Sequence, residues 1–280
     1  MTHLTILCEN TAGPAVGVLG EHGFSVLIER AGDCFLFDTG QGHTILHNAG
    51  CLKKDLSRIK KILLSHGHYD HTGGLKQVLQ QTGPVDVHAH PAIFTERFAA
   101  LTKDHETSYR HVGIPAERAG LEALGARFVF NTSFAEITKG LYLTGEAPRT
   151  ASFEKNDRRL VIRDKGRYAQ DTIPDDQSLV LESAGGLAVI LGCAHSGVIN
   201  TLNHITAQLP GRPIHTVIGG THMGFLSQAQ LETTIEHLKK FPLKKIGVSH
   251  CTGLAPSMKL MQAFGQTFFF ANAGSIVDLA

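Results

Sequence analysis

The sequence predicts an α+β fold in which two packed β-sheets are flanked by helices. Three observations carry this. Short apolar strands alternate with helical segments in two blocks, one before about residue 102 and one after about 176. The stretch between them, 102–176, is polar and lacks a regular period. An apolar fraction of 42% with 18% charged residues gives a chain with a sizeable core. The 280 residues show no internal repeat and no linker, so a single domain is expected over 1–280.

In chain order, "HLTILCEN", "FSVLIER" and "DCFLFDTG" read as strands, the third closed by a turn. "HTILHNAGCL" reads as a helix, and "KKILLS" (60–65) as a short strand. "GGLKQVLQQTG" has helical spacing at Leu75, Val78 and Leu79 and a glycine stop. "PVDVHAH" is a strand and "PAIFTERFAALT" a helix. Within the middle stretch only short strands near 127–130 and 141–144 can be placed. Regularity returns with the strand pair "QSLVLES" and "GLAVILG" around Gly185-Gly186, then helix "GVINTLNHITAQL" and strand "IHTVIGG". Helix "SQAQLETTIEHLKKF", strand "KKIGVSH", a helix over 254–264 and the strands "QTFFF" and "SIVDL" follow.

Composition narrows the function. The formal net charge is +1 and no run of five like charges occurs, so neither nucleic acid nor a membrane surface is an expected partner. No apolar run reaches 18 residues and the N-terminus lacks a leader pattern, so a cytoplasmic protein is expected. The five cysteines (Cys8, Cys34, Cys51, Cys193, Cys251) are scattered without a CxxC pair, which argues against a disulfide framework. Seventeen histidines point toward metal or proton chemistry.

The densest signal is "SHGHYDHTGG". His66 and His68 leave a strand on the same face, and a turn into a helix start brings Asp70 and His71 back toward them. Imidazole nitrogens and a carboxylate are the donors a cation such as zinc takes, and four of them within one turn can serve two ions. This motif resembles the signature of the metallo-β-lactamase fold superfamily, and the other family motifs appear in order, "FDTG" before it and "LGCAHSG" and "VSHCTG" after it. The resemblance spans about 24–253 and implies an αββα four-layer sandwich with metals at one sheet edge. It implies two divalent ions, zinc first, with manganese or iron as alternatives. One would be held by His66, His68 and His195, the other by Asp70, His71 and His250. Asp38 would stand behind them and orient a ligand by hydrogen bonding. Dinuclear members carry a bridging ligand, and Asp175, Asp176 or Cys193 could fill that slot. Asp176 is favoured, because a thiolate is softer and "ILGCA" reads as a buried strand; Cys193 and Cys251 then read as small core residues.

With "DDQSL", "IGGTHMGF" and "SHCTG" added, the chain resembles the 7,8-dihydropterin-6-methyl-4-(β-D-ribofuranosyl)aminobenzene-5'-phosphate synthase-like branch. That resemblance implies an enzyme, hydrolase or transferase, and a small-molecule substrate bearing phosphate or pyrophosphate. Asp70 and His222 are the candidate catalytic residues; His88 and His90 in "VHAHP" are weaker candidates. Arginines of the middle stretch (Arg110, Arg149, Arg158, Arg159, Arg163, Arg167) could clamp phosphate, with Arg158 and Arg159 chosen as the binding pair. The rival readings are a metal-dependent hydrolase of a small ester, lactone or phosphodiester, and a non-catalytic metal-bound sensor. A glyoxalase-II-like thioesterase is disfavoured because the chain ends in strands rather than a helical domain. Oligomeric state is not legible from the sequence.

Overall fold

A computed structural model describes residues 1–279. The first block holds β1 (Thr2–Cys8), β2 (Ser25–Arg30), β3 (Asp33–Phe37), α1 (Ile45–Cys51), β4 (Ile59–Leu63), α2 (Tyr69–Thr72), α3 (Leu75–Thr82) and β5 (Val85–Ala89). The middle holds β6 (Arg97–Lys103), β7 (Glu106–His111), α4 (Arg118–Ala123), β8 (Ala126–Phe130), β9 (Ala135–Thr138), β10 (Leu141–Leu143), β11 (Leu160–Asp164) and β12 (Arg167–Gln170). The last block is β13 (Leu179–Ser183), β14 (Gly186–Leu191), α5 (Val198–Gln208), β15 (Ile214–Gly220), α6 (Gln228–Leu238), β16 (Lys245–Ser249), α7 (Leu254–Phe264), β17 (Phe268–Phe270) and β18 (Ile276–Leu279).

Two seven-stranded mixed sheets face each other, ordered β18-β1-β2-β3-β4-β5-β8 and β17-β16-β15-β14-β13-β10-β9. Phe24, Phe37 and Leu4 of one meet Leu141, Leu181 and Ile190 of the other in an apolar core between them. On the outer face of the first sheet, Leu36 and Ile62 pack against Ile45, Val78 and Leu121 from α1, α3 and α4. On the outer face of the second, Val189 and Val217 pack against Leu202, Ile235 and Leu260 from α5, α6 and α7. The expected α+β, helix–sheet–sheet–helix sandwich is therefore present. Its parallel strands are covered on both sides and read as continuous apolar runs; β14 and β15 are buried along their whole length. Among the described residues no helix is long and apolar enough to cross a membrane.

The middle stretch differs from its sequence reading. It is not irregular: β8 joins the first sheet, β9 and β10 the second, and β12-β11-β6-β7 form a third sheet of four strands. The residues read as the helix "PAIFTERFAALT" form a single 3₁₀ turn, Pro91–Phe94, followed by β6. Two causes hid these strands. β7 and β12 are exposed at every position, so they carry no apolar alternation. Their hairpin turns are the two-residue kind with both φ positive, at Asp104-His105 and Lys165-Gly166, and neither spells the usual Asn-Gly or Asp-Gly.

The third sheet is tied to the sandwich through one buried cation. Arg97, on β6 and 1% exposed, donates from Nε to Asp171 (2.8 Å) and from Nη1 and Nη2 to Asp175 (2.9 and 2.6 Å). Asp175 also accepts the Gly67 N–H at 2.7 Å, between His66 and His68. A Cβ at Gly67 would overlap the Ile93 carbonyl and sit 2.7 Å from Arg97 Nη1, so only glycine admits this approach. Removing one partner of a buried ion group leaves the others uncompensated, at a cost of roughly 3–5 kcal/mol. Arg97→Met should therefore lower the unfolding free energy of metal-free protein by about that amount in denaturant titration. Arg97→Lys, which keeps charge but not the fork, should fall between. A loss below about 1 kcal/mol for Arg97→Met would mean the cluster contributes little to stability.

Candidate metal centre

The polar residues of interest gather at one edge of the sandwich, where strands end. β4 runs out into Ser65 and His66, and β3 into Asp38. The neighbouring parallel strands β14, β15 and β16 deliver Cys193 and His195, His222, and His250. Ligand sites favour the carboxyl ends of parallel strands for the same reason: adjacent strands release their chains into one space. The turns there are tight. Asp38, Ala194, His222 and His250 all adopt left-handed backbone (φ 57°, 56°, 54° and 51°), a conformation that is costly for non-glycine residues and that concentrates at functional sites.

The histidines converge in two groups. His66 Nε2 lies 3.0 Å from His68 Nδ1 and 3.2 Å from His195 Nε2. His250 Nε2 lies 3.2 Å from both His71 Nε2 and Asp70 Oδ2. The fully buried Asp38 organises both groups: it accepts from Ser65 N (2.7 Å) and Ser65 Oγ (2.6 Å), and Oδ2 sits 2.7 Å from His71 Nδ1. Ser65 Oγ is in turn 2.8 Å from His66 Nδ1. Both imidazoles are thus held with Nε2 facing inward. Glu9 accepts the His250 N–H at 2.6 Å, and Asn10 Oδ1 lies 2.8 Å from His250 Nδ1, which fixes the third inward-facing ring.

The electrostatics suit a cation. Burial pushes His68 down to about 3 and, with the neighbouring imidazoles, holds His66 and His195 far below the ordinary imidazole range. These rings are neutral and offer lone pairs. Burial disfavours charge on Asp70, but bonds from His22 and His250 outweigh it and keep the carboxyl well below the usual carboxylate range. Ring nitrogens face ring nitrogens at 3.0–3.2 Å, and His68 Nε2, His195 Nδ1 and His222 Nδ1 are buried with no partner. A cation in each group would take the converging lone pairs, so the donor set fits divalent metal.

Other expected residues lie elsewhere. Asp176 is not among the converging donors: Oδ2 accepts the Ser196 N–H at 2.7 Å and holds the turn that carries His195. Asp175 is engaged by Arg97 and Gly67. The two adjacent carboxylates therefore brace two histidine-bearing turns from behind, and of the three bridging candidates only Cys193 reaches the cluster, 3.1 Å from His71 Nε2. Arg149 also braces, donating to His195 O (2.9 Å) and Thr172 O (2.8 Å). His88 and His90 face Lys61 and Glu146 instead.

A cavity of about 250 Å³ opens above the cluster, with the third sheet as one wall. Ala99, Leu101 and Leu160 make that wall apolar, and Arg110 and Arg159 add charge. Arg158 does not line the cavity, contrary to the sequence reading; its neighbour Arg159 does. Arg159 is bound to Asp157 (Nε 2.9 Å) and lies 4.2 Å above the Phe225 ring. Asp157 Oδ2 is 3.3 Å from His222 Nε2. Burial opposes charge on His222, yet the Asp157 and Cys251 contacts prevail and push it up to about 9. Sequence reasoning missed His22, whose Nε2 sits 3.0 Å from Asp70 Oδ2, and Asp157. Neither belongs to a spaced motif; a lone histidine between glycine-rich turns was the only signal at His22.

Comparison with known proteins agrees with this geometry. The family profile of the Metallo-beta-lactamase superfamily matches residues 19–129. The chain is 30% identical to the 7,8-dihydropterin-6-methyl-4-(beta-D-ribofuranosyl)-aminobenzene-5'-phosphate synthase of Methanocaldococcus jannaschii, over 97% of this chain and 94% of that protein. It is also 30% identical to an uncharacterized protein of the same organism, over 99% and 100% of the two chains. Among solved structures it resembles Tm1679, described as a metal-dependent hydrolase of the beta-lactamase superfamily, at 27% identity and a TM-score of 0.84 over the full length of both. The sandwich, the histidine cluster at its edge and a near full-length relative lead to one assignment: the chain belongs to the metallo-β-lactamase superfamily.

Proposed function

We propose that the protein is a dinuclear metal-dependent enzyme acting on a small molecule that bears a phosphate or pyrophosphate. The observation that carries this reading is that His68, Asp70, His195 and His250, members of the two converging groups, line one cavity with Arg110 and Arg159. His66, His68 and His195 would hold one divalent ion, and Asp70, His71 and His250 the other. Such a pair supplies Lewis-acid polarisation of the attacked group and a nucleophile at neutral pH. Zinc suits the nitrogen-rich donors best, with iron or manganese as alternatives.

The chain's own residues do the rest. Asp38, through Ser65 and His71, fixes both halves of the donor set against rotation. Asp157 holds His222 at Nε2 and leaves Nδ1 unpartnered on a residue that lines the cavity, so His222 is placed to exchange a hydrogen bond or proton with substrate. Among the described residues Arg110 has no carboxylate partner, which leaves its guanidinium for an anionic group. The name of the synthase relative supports a phosphorylated substrate. The apolar wall of Ala99, Leu101 and Leu160 favours a second reading, hydrolysis of an uncharged ester or lactone.

Two measurements separate these elements. His195→Ala and His250→Ala should each weaken zinc at one donor group by about 10–100-fold, read as bound zinc after dialysis, while far-UV circular dichroism stays unchanged. Full zinc retention in both would remove these residues from the ligand set. The Arg110→Ala/Arg159→Ala double variant should raise KM for a model phosphodiester such as bis(p-nitrophenyl) phosphate by roughly 10-fold or more, from charge-assisted hydrogen bonds of roughly 1.5–3 kcal/mol each. Its KM for an uncharged lactone and its zinc content should hold, and Arg158→Ala should change nothing. Equal losses on both substrates would favour the uncharged-ester reading.

A further inference from the structure

Asn10 and His22 lie outside the histidine-rich motifs of the sequence, yet both reach the cluster. Asn10 follows the end of β1 by two residues, and His22 sits in the turn before β2. That turn is clamped on both sides of His22. Before it, the buried Glu21 carboxylate accepts the N–H groups of Gln41, Gly42, His43 and Thr44 at 2.7–3.4 Å. After it, the Phe24 N–H donates to the Asp70 carbonyl at 3.1 Å, and a Cβ at Gly23 would lie 2.6 Å from that same oxygen. His22 is thereby held at the cavity wall, its side chain half-exposed and its Nε2 3.0 Å from Asp70 Oδ2.

One backbone donor fixes the proton positions in this corner. The Gly23 N–H can only donate, and it meets Asn10 Oδ1 at 3.2 Å, so the Asn10 amide cannot be turned the other way. The same oxygen lies 2.8 Å from His250 Nδ1, which must therefore carry a proton. In the neutral ring this leaves the His250 Nε2 lone pair facing the cluster. The Asn10 Nδ2 amide is a donor 3.3 Å from His22 Nδ1, which must therefore accept. A neutral His22 ring then carries its proton on Nε2 and donates it to Asp70 Oδ2. One amide thus gives two histidines opposite tautomers, Nδ1–H at His250 and Nε2–H at His22.

We propose that Asn10 and His22 are positioning residues for one half of the centre: Asn10 sets the tautomers of His250 and His22, and the His22 N–H holds the Asp70 carboxylate in place for the second ion. The inference rests on the dinuclear reading above. Partners of this kind, which hydrogen-bond a ligand from outside the metal, fix its orientation. Among the described residues the side chains of Asn10 and His22 bond to Asp70 and His250 and to no member of the His66, His68 and His195 group. Loss of either should therefore weaken one ion and spare the other.

The test combines NMR of the full chain carrying isotope-labelled histidine with zinc titration. Long-range proton–nitrogen correlations distinguish the two ring tautomers. Metal-free protein at alkaline pH should show His22 as the Nε2–H tautomer and His250 as the Nδ1–H tautomer, assigned from the signals lost in His22→Gln and His250→Gln. Asn10→Ala should leave both rings averaged between tautomers. In the titration, Asn10→Ala and His22→Leu should each weaken one of two zinc ions about 10-fold or more and leave the other unchanged. His22→Gln, whose amide N–H can reach the place of Nε2–H, should recover most of that loss, which a space-filling role would not do. Two zinc ions bound by wild-type protein whose His22 is the Nδ1–H tautomer would overturn this inference alone. So would tautomers unchanged in Asn10→Ala, equal weakening of both ions in His22→Leu, or no recovery in His22→Gln. Uptake of a single ion by wild-type protein would refute the dinuclear reading, and this inference with it.

Discussion

Five imidazoles and a carboxylate buried at one sheet edge, their polar atoms turned toward one another, are the constraint the rest of the structure serves. Ring nitrogens meet there at 3.0–3.2 Å, and burial removes the water that would otherwise satisfy them. The surrounding structure is organised to hold this arrangement. Asp38 orients His71 directly and His66 through Ser65; Glu9 holds the His250 backbone and Asn10 its ring; Asp157 holds His222. Four non-glycine residues accept left-handed backbone at the strand ends that deliver these groups. A divalent cation held there would take the converging donors as ligands and so couple metal binding to local stability.

The same constraint explains the two neighbouring carboxylates. Asp175 and Asp176 look like ligands in sequence, being acidic, paired and next to a strand. In the structure each grips the backbone of a different histidine-bearing turn, at Gly67 and Ser196, and Arg97 balances one of them from the third sheet. The third sheet is thus both a wall of the cavity and part of the support for the histidine cluster. This links the substrate-facing surface to the geometry of the centre through a single buried guanidinium.

Legibility in the sequence followed periodicity and spacing. Apart from "PAIFTERFAALT", the strands and helices of both regular blocks are readable because burial on one or two faces writes a period into the chain; β14 and α7 are examples. Asp38, His66, His68, Asp70 and His71 were readable because one short stretch and one strand-end turn hold them together. The third sheet was not, since β7 and β12 lie on the surface and need no apolar alternation. His22 and Asp157 were not, because their roles arise only when segments far apart in the chain, such as Asp157 and His222, fold against each other. Of the pair Arg158 and Arg159 only the second lines the cavity, for a related reason: neighbouring residues can point to opposite sides, and sequence does not say which side faces the cavity.

The central claim is that the cluster is one centre with two cation positions. Anomalous diffraction from zinc-soaked crystals at the zinc absorption edge tests it most directly. The account predicts two peaks roughly 3.5–4 Å apart, one within reach of His66, His68 and His195 and one within reach of Asp70, His71 and His250. A single peak at full occupancy under excess zinc, or peaks only at surface histidines, would contradict it.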